Sequence, residues 1–166
     1  MRSAAEARFR VQAPNSTPRA IKVIALDATG EAVIRRLAGG GWNHATFLTA
    51  ASRGEPGGRG DRPPASVHEA LSDLAGHGRS VTHEVDTADL VVFVAGPGGH
   101  AQAASLIGEA CSLRRVMTTG FIIGVTAGSE NELSKTLVQV RPWSLMVVIA
   151  DSDDYIDDML TALRAS

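Results

Sequence analysis

The chain has 166 residues and a formal charge of -2, with 44% hydrophobic but only 4% aromatic residues. That length suits one domain with one core. The near-neutral charge argues against a general electrostatic grip on nucleic acid or an anionic membrane, and the scarcity of aromatics against a stacking surface for single strands. A single cysteine, Cys111, excludes an intramolecular disulfide and a thiolate-rich metal site.

Residues 1–20 read as a flexible leader: arginines, small residues, Pro14 and Pro18, and no apolar segment of a secretory signal. No stretch approaches the roughly 18 apolar residues of a membrane span, so a cytoplasmic protein without membrane contact is expected. Ile21–Leu26 (IKVIAL) reads as a strand and Glu31–Ala38 as a helix, with Val33, Ile34 and Leu37 on one face. The turn between them, Asp27-Ala28-Thr29-Gly30, has two readings. Thr29 serves as N-cap, or Ala28, Thr29 and Gly30 face a phosphate while Asp27 reaches a ribose or a magnesium ion.

Gly39-Gly40-Gly41 stops the helix, and Ala45–Ala50 reads as a second strand. Residues 52–64, rich in glycine, proline and charge, read as a mobile surface loop. Ser66 followed by Glu69 is a capping-box pattern, which predicts a helix over Ser66–Ala75 closed by Gly76. Thr82–Val85 reads as a short strand or an approach to the next one.

Ala88–Ala95 is wholly apolar after Asp89, the pattern of a strand buried on both faces. It delivers Gly96-Pro97-Gly98-Gly99-His100 to a helix predicted over Gly99–Leu113. Free amides converging on a helix N-terminus hold anions, so this turn is the sharpest candidate for binding a nucleotide or another phosphate-bearing molecule. No lysine follows, so it is not a Walker loop. Strand Gly120–Thr126, helix Glu130–Val140, strand Leu145–Ala150 and helix Asp153–Arg164 complete the chain.

The alternation specifies a three-layer, Rossmann-like α/β domain over residues 21–166, doubly wound around a mostly parallel sheet. Ligands of such sheets bind beyond the carboxyl ends of the strands. That rule selects Asp27–Gly30, Ala95–His100, Thr126–Ser129 and Asp151–Asp154 as the rim. The acids Asp151, Asp153, Asp154, Asp157 and Asp158 read as helix capping rather than a metal site, and the five histidines lack ligand spacing. Trp42 and Trp143 read as plugs at the ends of the sheet.

The stretches IKVIALDATGEAVIRRLA, ADLVVFVAGPGGHAQAASLIGEA and LMVVIADSDD together resemble, in order and spacing, the nucleotide-binding domain of the FtsZ/tubulin superfamily in a shortened, degenerate form. The family's first loop is glycine-rich, and here it keeps only Gly30. Its signature loop carries a GGGTGTG-like run, and here Gly98-Gly99 leads into His100-Ala101-Gln102. The long central helix and the second domain with the acidic catalytic loop have no counterpart. The resemblance therefore implies a fold and a vestigial site for GTP or GDP, without GTP hydrolysis.

The reading is a non-catalytic binding or regulatory module, with Ala28, Thr29, Gly30, Gly96, Pro97, Gly98, Gly99 and His100 as its site, no catalytic residues and no metal. Two alternatives stand beside it. One is a small enzyme using Asp27, His100 and Asp151 at the rim; the other is a structural domain forming homo-oligomers through its open sheet edge.

Overall fold

The computed structural model describes residues 20–50 and 71–162. The loop at 52–64, the start of the helix expected from Ser66, and all but the last residue of the leader lie outside the described residues. Within them, a seven-stranded sheet is flanked by helices on both faces.

In chain order the elements are β1 (Ile21–Ala25), α1 (Ala28–Ala38), β2 (Ala45–Thr49), β3 (Leu71–Asp73), β4 (Gly78–Arg79) and α2 (Val81–Asp86). Then follow β5 (Leu90–Ala95), α3 (Ala103–Arg114), β6 (Met117–Ile123), α4 (Glu130–Val140), β7 (Met146–Ala150) and α5 (Asp154–Ala162). A single 3-10 turn, Arg141–Trp143, links α4 to β7. The strand order is β4-β3-β2-β1-β5-β6-β7. From β2 to β7 all pairings are parallel, with Ile21 of β1 opposite Ala45 of β2 on one side and Leu90 of β5 on the other. This is the doubly wound α/β domain that the alternation specified.

Side chains alternate across the sheet and divide the core in two. Val23, Ala25, Val92, Val94 and Phe121 pack with Ile34 and Leu37 of α1 and Ile156 and Leu160 of α5. On the other face Ile24, Leu48, Val91 and Phe93 meet Val85 of α2, Ile107 and Cys111 of α3, and Val140 of α4. Both helix layers thus grip the central strands β1 and β5, which are buried throughout. Burial also pushes the Cys111 thiol up to about 11, which makes it an inert packing group.

The structure corrects three local expectations. Leu71–Asp73, the second half of the helix predicted from Ser66, is a strand that pairs antiparallel with the end of β2, Leu48 opposite Asp73. Gly76, at φ +93, turns β3 back into β4 instead of closing a helix. Thr82–Val85 lies in a helix, capped by Ser80 through its side chain to the His83 N–H, with Val81 and Val85 buried. Trp42 and Trp143 do pack against the two cores from the ends of the sheet, the former donating from Nε1 to the Leu37 carbonyl.

Lys22 is the second residue of β1, between Ile21 and Val23, and is buried. A lone ammonium in that position needs a counter-charge. Glu84 of α2 provides it: Lys22 Nζ lies 3.1 Å from Glu84 Oε2, and Arg79 Nε lies 3.4 Å from Oε1 of the same carboxylate. This pair attaches the short helix α2 to the centre of the sheet. Glu84→Ala, which leaves the Lys22 charge buried and unpaired, is expected to cost about 3–5 kcal/mol in urea unfolding. Lys22→Met combined with Glu84→Leu is expected to recover most of that loss.

Candidate functional site

β1 and β5 are the neighbours at which the strand order reverses, so the β1–α1 and β5–α3 turns straddle the switch point of the sheet. Asp27 joins them. It is the N-cap of α1, accepting from the Gly30 N–H at 2.8 Å through Oδ1, while Oδ2 accepts from the Gly96 N–H at 2.9 Å. The Leu26 N–H donates to the Val94 carbonyl at 2.9 Å and closes the crevice from below. The cap is therefore Asp27, and Thr29 lies inside the first turn of the helix. A carboxylate of the chain itself occupies the place where an external anion would meet the α1 amides.

Burial raises the Asp27 pKa above the usual 3.8, although its bonds from Gly30 and Gly96, the nearby His100 and the Thr29 amide all oppose that shift. The two glycines around it have steric roles. A Cβ on Gly30 would stand 2.1 Å from the Val94 carbonyl oxygen, so α1 rests directly on the end of β5. A Cβ on Gly96 would meet the Thr29 side chain at 2.7 Å. Ala28 and Thr29 are exposed on the first turn of α1.

The glycine turn is tied down from the other side by α4. The Gly98 N–H donates to the Glu132 carbonyl at 3.0 Å, Gly99 N–H to Thr136 Oγ1 at 3.0 Å, and Ala101 N–H to Gln139 Oε1 at 2.9 Å. Thr136 Oγ1 in turn donates to the Gly96 carbonyl at 2.9 Å and is fully buried. Residues 132, 136 and 139 follow the spacing of one helix face. Gly98 and Gly99 adopt φ of +135 and +77, a conformation that favours glycine. Among the turn's N–H groups, only that of His100 has no acceptor among the described residues. The helix begins at Ala103 rather than Gly99, so residues 100–102 separate its N-terminus from the glycines.

Of the residues of the alternative enzyme reading, His100 is near Asp27 but Asp151 lies apart. Asp27 follows β1 and Asp151 follows β7, three strand spacings away, roughly 14 Å at about 4.8 Å per spacing. Asp27 is buried with both oxygens engaged, whereas His100 and Asp151 are exposed. In the acidic segment, Asp153 and Asp157 hold the Arg36 guanidinium of α1, at 2.6 and 3.2 Å. These bonds, Asp153 first, raise the Arg36 pKa. Among the described residues no three His, Cys, Asp or Glu side chains are grouped to hold a metal ion.

Two further features bear on function. A groove of about 450 Å3 lies at the opposite end of the sheet, between the end of α3 and the start of β6, lined by Cys111, Arg115, Met117, Trp143 and Leu145 among others. Beside it runs β7, the last strand, with no neighbour on its outer side among the described residues. Leu145, just before β7, and Met146 and Ile149 within it are 75%, 55% and 44% exposed, and Val138 of α4 and Tyr155 of α5 are exposed as well. The sequence matches no protein-family model and no curated protein.

The two aspartates in turns make opposite predictions. Asp73, half-buried at the end of β3 and accepting from the His77 and Ala75 amides, has its pKa lowered, chiefly by the His77 backbone bond. Its stabilisation is present above the unfolded value and is lost as pH falls through the lowered folded value. Asp27 behaves in reverse: the folded chain holds its proton more tightly than the unfolded one, so its contribution to stability grows as pH falls through the raised value toward 3.8. Carboxyl-carbon NMR titration should place Asp27 above 3.8 and Asp73 below it. Gly30→Ala, which drives a methyl into the Val94 carbonyl, is expected to cost about 1–3 kcal/mol or more, measured by urea unfolding.

Proposed function

We propose that the chain is a non-catalytic interaction module with an FtsZ/tubulin-like layout, acting by contact with a protein partner rather than by turnover. One observation carries this reading. Apart from His100, the amides of the glycine turn already have acceptors within the chain, Asp27 for Gly96 and α4 for Gly98, Gly99 and Ala101, and Asp27 also takes the Gly30 amide. Among the described residues, the surface left without a partner is instead the apolar edge at β7. The separation of Asp27 from Asp151 also speaks against a shared catalytic centre at the rim.

A second reading, a GTP, GDP or other phosphate group on the Gly96–His100 turn, is favoured by one feature. His100 and Lys135 lie beside the positive-φ pair Gly98-Gly99, next to the unengaged His100 N–H. Such binding would have to displace or supplement bonds already made.

Thermal unfolding with GTP, GDP, ATP and inorganic phosphate at millimolar concentration separates the two. The interaction module is expected to show an unchanged Tm with every ligand and no phosphate release. Binding at a hundred times Kd would add about 2.7 kcal/mol and raise Tm by several degrees. Such a rise with any nucleotide would overturn the reading.

A further inference from the structure

We infer that β7 is a homodimer interface, at which two copies pair antiparallel about a two-fold axis near Val148 and join their sheets into one. This rests on the interaction-module reading and names its partner as a second copy of the chain. The two ends of the sheet differ. At one end β3 and β4 are short and antiparallel, with three and two residues, which blunts that edge. At the other, β7 is a five-residue strand whose outer row of backbone groups is unpaired among the described residues, with exposed apolar side chains on both of its faces, an edge ready to template another strand.

Charge around β7 selects the occupant and the direction. At its N-terminal end stand Arg141, on the 3-10 turn, and Arg115, at the end of α3; both are exposed and neither has an ion-pair partner among the described residues. At its C-terminal end stands Asp151, exposed and likewise without an ion pair among the described residues. Parallel stacking of two such strands would set arginine against arginine and aspartate against aspartate. A two-fold antiparallel pair sets the arginines of each copy against the aspartate of the other, twice. The strand therefore carries the complement of its own charge pattern. Around this backbone ladder, Leu145, Met146 and Ile149 of both copies would leave water.

The experiment is sedimentation equilibrium of the full chain from micromolar to millimolar protein, with circular dichroism to confirm folding of each variant. Wild type is expected to dimerise, less tightly at high salt because the flanking charges are exposed. Arg141→Glu alone and Asp151→Arg alone each bring like charges together and should weaken the dimer by about tenfold or more. Mixed one to one, the two variants should regain dimerisation, since position 141 of each copy then faces a charge of opposite sign at position 151 of the other. Ile149→Lys, a charge on the free edge, should abolish the dimer.

A wild type that stays monomeric throughout, a dimer indifferent to the charge changes, or a mixture no tighter than its components would each overturn the inference. A monomer that also ignores nucleotides would leave the interaction-module reading standing with a different partner. A nucleotide-dependent rise in Tm defeats that reading whatever the oligomeric state.

Discussion

The rim of this molecule is organised by one buried carboxylate. Asp27 caps α1 with one oxygen and takes the Gly96 amide with the other, so two turns sixty-nine positions apart share a single acceptor. Taking that charge out of water is unfavourable, as the raised pKa registers, and several backbone donors aimed at it offset the loss. The consequence is steric as well as electrostatic. With Asp27 in place, Gly30 must lie against the Val94 carbonyl and Gly96 against Thr29, and neither position has space for a larger residue.

The same arrangement explains why a glycine-rich turn need not be a phosphate cradle. Gly98 and Gly99 supply the positive φ that lets the chain leave β5 and pass beside α4. Their amides then satisfy Glu132 and Thr136 from the next crossover. Backbone donors that converge on a ligand in one protein can converge on a neighbouring helix in another, and the glycines look alike in both. What differs is the helix that arrives later in the chain, with Thr136 and Gln139 on the face it presents to the turn.

The sheet was legible where burial acts on every residue of a strand. LVVFVA is a continuous apolar run, and IKVIAL one broken only by Lys22, because β1 and β5 are covered on both faces, and their helices follow from local periodicity. Leu71–Asp73 was misread because its strand character comes from pairing with Leu48 and Thr49, far away in sequence, while the capping-box signal beside it is local. The helix at Val81–Asp86 did leave a trace, Ser80 before Val81 and Val85 at helical spacing, but it is short enough to resemble a strand. Lys22 within an apolar run was a signal of a buried partner that could have been followed to an acid such as Glu84. The clamps on the glycine turn could not have been, since Thr136 reaches it only through the α3–β6–α4 crossover. Asp27 was placed at the rim, but as a group for holding a ligand rather than one satisfied within the fold.

The unequal ends of the sheet also limit how far any assembly can extend. A subunit able to template on both sides would add copies without end and grow into a fibre. Here β4 offers only Gly78 and Arg79 at one margin, so addition through β7 uses up the sole generous margin of each copy among the described residues. Growth by that route is self-terminating at two.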